Sequence, residues 1–73
     1  MTRRIITISS PTMAIKASRL LNRNGIRARV IRLHPSQTPR GCTTGVEVDL
    51  SRVNAALEVL GNENIFYTGV VIL

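Results

Sequence analysis

An α+β sandwich with the element order βαββαβ is predicted by three features of the sequence. Two runs carry apolar residues at helical spacing. Four short runs are rich in β-branched residues. Glycine, proline, serine and asparagine punctuate the joins between them. The 73 residues are enough for one compact domain, and residues 1–73 are read as a single domain. A domain of this size buries only about 60% of the surface its unfolded chain exposes, so its stability margin is thin.

Residues 4–8 are dominated by isoleucine and read as the first strand. Ser9-Ser10-Pro11-Thr12 then reads as a helix start, with a hydroxyl cap and a proline in the first turn. Between Met13 and Asn24 the apolar residues Met13, Ala14, Ala17, Leu20 and Leu21 fall on one arc. Lys16, Arg19 and Arg23 share the opposite, solvated side. Asn24-Gly25 is a stop signal, because glycine readily takes the left-handed conformation.

Residues 28–33 read as the second strand, and 34–45 as a turn-rich loop with Pro35, Pro39, Gly41 and Gly45. Residues 46–50 alternate as a strand with one buried face does, and if the hairpin pairs Arg29 with Asp49, part of the positive charge is neutralised across strands. Ser51 is placed to cap a second helix, with Val53, Ala56, Leu57 and Leu60 toward the core and Gly61-Asn62 at its end. Residues 65–73 form the last strand, with Gly69 a candidate bulge and Phe66 and Tyr67 directed to opposite faces.

This order fits the ferredoxin-like sandwich, an antiparallel four-stranded sheet with strands one and three at its centre and two helices on one face. The other face is left to solvent or to a second copy of the chain. The architecture hosts many activities and implies none.

Composition narrows the classes of function. The formal net charge is +6, from ten Lys and Arg against four Asp and Glu, and all the basic residues except Lys16 are arginine. Such a surface attracts anions, whether nucleic acid, an acidic protein or an anionic substrate. Nucleic acid is the less favoured of these, because the sheet lacks the aromatic pairs on which bases stack. The lone His34 and lone Cys42 fall short of a zinc site, and no metal or organic cofactor is expected. No apolar run approaches a membrane span, the short run after Arg4 is no secretory leader, and a single cysteine suits a reducing compartment. Cytoplasm is the expected location.

The predicted topology puts the loop between strands two and three at the same end of the sheet as the start of the first helix. Cys42 is thereby expected near Ser9, Ser10 and Thr12. Free N–H groups at the helix start, and Arg40 two residues away, would favour the thiolate. The same features would stabilise a persulfide or selenide anion. Gly41 would admit a substrate or partner close to the backbone, and Thr43 flanks the cysteine on the other side. His34 is within reach as a base in sequence terms, but no group is evident to orient it, and His-Pro at a strand end reads better as a turn. Ser10 and Ser51 read as caps rather than nucleophiles. The competing interpretation is a basic nucleic-acid- or anion-binding module in which Cys42 is an incidental loop residue.

The residues Ile8-Ser9-Ser10-Pro11-Thr12, then Ala14, Ala17, Leu20 and Leu21, then Gly25-Ile26 and Ala28-Arg29-Val30-Ile31, carry a family resemblance. So do the proline-bearing loop from Pro35 to Cys42 and Tyr67-Thr68-Gly69-Val70 near the end. Together they resemble the selenium/sulfur carrier protein-like family of small domains, over nearly the whole chain. The sequence departs from the family where Thr43-Thr44 separate Cys42 from Gly45 and where Ser18 replaces an acidic residue. The resemblance implies a carrier rather than an enzyme, which holds sulfur or selenium on Cys42, with Ser10 and Thr12 as neighbours, and passes it from a donor protein to an acceptor protein.

Overall fold

The structure is a computed structural model and describes residues 3–34, 36, 41 and 43–72. Strand β1 (Arg3–Thr7) leads into helix α1 (Pro11–Arg23). Strands β2 (Ala28–Arg32) and β3 (Thr44–Asp49) follow, then a 3₁₀ turn at Leu50–Arg52, helix α2 (Val53–Asn62) and strand β4 (Gly69–Val71). The sheet order is β2-β3-β1-β4, with every neighbouring pair antiparallel. This is the ferredoxin-like arrangement, with β1 and β3 central.

The register explains which residues make the core. Ile6 is paired with Val46 and Val70, and Val46 in turn with Val30. Ile6, Ile8, Ala28, Val46 and Val48 meet Ala14, Ala17 and Leu21 of α1 and Ala56 and Leu60 of α2 in one buried cluster. Met13, Leu20, Val53 and Leu57 pack at its margin, so both helical arcs face the sheet as their spacing requires.

Both helices stop in the same way. Gly25 adopts φ +78, its N–H bonds to the Asn22 carbonyl, and the N–H of Ile26 bonds to the Leu21 carbonyl. In α2, Asn64 takes the left-handed position at φ 57, and the N–H of Ile65 bonds to the Leu60 carbonyl. These are Schellman ends, each closed by a buried isoleucine. α2 ends at Asn62, so the expected stop at Gly61-Asn62 holds, and the left-handed residue that closes it is Asn64, a residue type that can take that conformation through its short polar side chain.

Three expectations are corrected. Ser51 does not cap α2: it lies exposed inside the 3₁₀ turn, and neither that turn nor α2 has a side-chain cap. The last strand is shorter than residues 65–73. Ile65 has its N–H committed to the end of α2, and Phe66 and Tyr67 precede β4, both exposed rather than on opposite faces of a strand. Gly69 pairs regularly with Thr7 and forms no bulge within that ladder.

The hairpin pairs Arg29 with Glu47, two residues from Asp49, which opposes Arg3 instead. Glu47 bridges Arg3 at 3.2 Å and Arg29 at 3.1 Å. A shift of two keeps every side chain on its face, so alternation alone could not have fixed it. On this open face Arg3 and Arg29 offset Glu47 and Asp49.

The short β4 is fastened to β1 by hydroxyls. Thr7 Oγ1 lies 2.7 Å from Thr68 Oγ1 and donates to the Gly69 carbonyl at 3.1 Å. Thr7 is buried and near-isosteric with valine. Thr7→Val is expected to cost about 1–3 kcal/mol, because it leaves the partner groups short of a bond without changing volume. Urea unfolding with an unchanged m-value would show this.

Candidate functional site

The candidate site is the end of the sheet where β1 passes into α1 and the β2–β3 connection returns. Ser10 has extended backbone, and its Oγ accepts the N–H of Met13 at 3.3 Å, with Pro11 in the first position of the helix. The expected cap is thus present. Ser10→Ala is expected to cost about 1 kcal/mol and to lower the melting temperature without altering any thiol chemistry, which separates capping from a direct role.

Two backbone hydrogen bonds bring the returning loop to the helix start. The N–H of Leu33 donates to the Thr43 carbonyl at 2.8 Å, and the N–H of Ile8 donates to the Thr44 carbonyl at 3.1 Å. Thr43 and Thr44 are held on one side by the end of β2 and on the other by the residue that leads into Ser9 and Ser10. An open groove of about 590 Å³ runs here between α1 and β2, with Pro11, Ile15, Arg32, Thr43 and Thr44 in its lining. Thr43 and Pro11, the first residue of α1, therefore line one groove.

Thr12 is one step further round the helix. It is exposed and lines a separate groove of about 420 Å³ with Ile15, Lys16, Arg19 and Arg23. Gly41 is exposed, with φ +70 and open space around the position of a Cβ. Its backbone conformation, more than any close approach, is what calls for glycine there. Cys42 and Arg40 lie outside the described residues.

His34 is engaged in a local turn. Its Nδ1 accepts the backbone N–H of Ser36 at 3.3 Å and lies 2.8 Å from Ser36 Oγ. That agrees with a turn residue. Among the described residues no group of three or more His, Cys, Asp or Glu is arranged to hold a metal ion, and no helix is long and apolar enough to cross a membrane.

Two features of the site were not visible in the sequence reading. Ile15 is exposed on the basic side of α1 and lines both grooves. An isoleucine off the apolar arc was the available signal. The second is the lock between α1 and β2. The amide of Asn22 donates to the Ala28 carbonyl at 2.9 Å and accepts its N–H at 3.2 Å, while Ser18 Oγ donates to the same carbonyl. An ionised carboxylate at position 18 could not make that bond.

Fold and loop placement define a small α+β protein that presents the ends of its β2–β3 connection beside a helix start. The family model described as "Putative Se/S carrier protein-like" matches residues 3–72, and the chain belongs to that family. No curated protein and no solved structure gave a significant match.

Proposed function

We propose that the protein carries sulfur or selenium on Cys42 between a donor and an acceptor protein. The observation that bears most weight is the family match over residues 3–72. The geometry adds to it, because both chain neighbours of the cysteine, Gly41 and Thr43, are exposed, and Thr43 lies in the groove at the start of α1.

The chemistry needs no cofactor. The Cys42 thiolate attacks the terminal sulfur of a donor persulfide, a new S–S bond forms, and the donor's own S–S bond breaks as it leaves as a thiolate. An acceptor thiolate then attacks the terminal sulfur now held on Cys42, which departs as a thiolate in turn. Each step exchanges one S–S bond for another with no net oxidation. A donor bearing terminal selenium follows the same course. Arg40 and the partial positive charge of the helix start favour the anionic forms. A thiol used in this way needs reducing surroundings, which agrees with a cytoplasmic location.

The test exposes the purified protein to a low-molecular-weight persulfide, blocks thiols with an alkylating agent and maps the mass of the peptide containing Cys42. The expected result is one added sulfur on that residue. Alkylation should also be half-maximal at a pH below the ordinary cysteine value of about 8.5. An unmodified peptide with ordinary alkylation behaviour would remove the chemical basis of the carrier reading.

A further inference from the structure

The charges of this protein are unevenly placed. On the open sheet face Arg3 and Arg29 pair with Glu47 and Asp49, and Arg27 beside them adds one cation to that balanced set. Along α1, Lys16, Arg19 and Arg23 are exposed, and none is ion-paired among the described residues. They rim a groove of about 420 Å³ that also holds Ile15, which is 46% exposed, and Leu20, with Glu63 as its acid. The three cations span roughly 10 Å of helix, two turns. Ile15 also lines the neighbouring groove that contains Thr43.

We propose that the α1 groove docks an acidic, partly apolar peptide segment of the donor or acceptor protein and guides it toward the Cys42 loop. The proposal rests on the carrier reading for the identity of that partner, but not for the binding itself. Three cations call for an anionic partner. The exposed isoleucine and the half-buried leucine beneath them call for apolar side chains interleaved with its acids, which a bare phosphate backbone does not offer. Glu63 would repel a run of phosphates, whereas a basic residue of a protein segment can pair with it. An amphipathic segment lying along the helix meets all of these demands, and its far end reaches the Thr43 groove.

The test uses the full chain and two fluorescent probes: a synthetic peptide with glutamate and leucine at helical spacing, and a single-stranded oligodeoxynucleotide of equal charge. The peptide is expected to bind more tightly than the oligonucleotide. Its affinity should fall about tenfold in the Lys16→Gln/Arg19→Gln/Arg23→Gln variant, the loss expected for three exposed ion pairs. Ile15→Ser should weaken the peptide and leave the oligonucleotide unchanged. All of these positions are on the surface, and circular dichroism verifies that the variants fold.

The proposal is overturned if the peptide does not bind, if the glutamine variant binds it as well as the parent does, or if the oligonucleotide binds more tightly and ignores Ile15→Ser. The two readings fail separately. Peptide binding should persist in Cys42→Ser, so a protein that binds the peptide but takes up no sulfur refutes only the carrier chemistry. One that loads sulfur from a small persulfide but ignores the peptide refutes only the docking.

Discussion

Gly45→Val is expected to destabilise the protein by about 1–3 kcal/mol or more, the usual range for forcing extra carbon into a filled space. Gly45 is buried in β3 between Thr7 of β1 and Ile31 of β2. A Cβ there would lie 2.5 Å from Ile5 Cγ2, 3.1 Å from Leu33 Cδ1 and 3.2 Å from the Ile6 carbonyl oxygen. The first contact is impossible without movement. Ile5 Cγ2 is carried on the β-carbon of a residue in a central strand, whose χ1 is stiff, and has little freedom to retreat. Ile5 and Leu33 are both almost fully buried although they sit on the face away from the helices, and they fold over the space that the missing side chain leaves. The effect should therefore be coupled. Gly45→Ala in an Ile5→Ala background should cost clearly less than in the parent, and a double-mutant cycle by urea unfolding measures the difference. Because Thr43 and Thr44 directly precede Gly45, a displaced β3 should also slow sulfur loading in whatever fraction remains folded.

Cys42→Ser is expected to abolish sulfur loading outright while leaving the melting temperature nearly unchanged. Serine keeps the size and removes the only sulfur nucleophile in the chain, since the methionines carry no thiol. An alkoxide is not formed at neutral pH without a strong base, and serine does not replace a thiolate in thiol exchange. Residual loading equal to the parent's would show that the added sulfur lies elsewhere and would end the carrier reading. A collapse of the melting temperature would instead point to a structural thiol. Intact-mass measurement and a thermal scan on the same samples separate these outcomes.

Much of the fold was legible because local and global preferences agree. The arc Met13, Ala14, Ala17, Leu20 and Leu21 and the cap at Ser10 needed only helical spacing and a hydroxyl before a proline. The alternation from Val46 to Asp49 identified β3, although the strand starts two residues earlier, at Thr44. What failed depended on partners distant in sequence. Ser51 had the right residue type for a cap, but the chain enters α2 through a tighter turn. Residues 65–68 have strand composition, yet Ile65 is more useful closing α2 against the core. Gly45 was read as part of a loop, because nothing local says that Ile5, forty residues earlier, occupies its side-chain space. For the site, topology alone places the end of the β2–β3 connection and the helix start at one end of the sheet. The two grooves do not follow from it, since they depend on how α1 packs across β2 and on Ile15 standing off the apolar arc.

The bond from Leu33 to the Thr43 carbonyl has a consequence for how this protein can change. It closes the β2–β3 connection at its base, next to the point where β3 begins. The entropy of closing a flexible connection grows only logarithmically, about 0.6 kcal/mol for each doubling of its length. Insertions beyond that clamp should therefore be nearly free for the fold, while they alter the reach and surroundings of the thiol. On the carrier reading, the length of the connection that holds the thiol is a variable that evolution could change at small entropic cost.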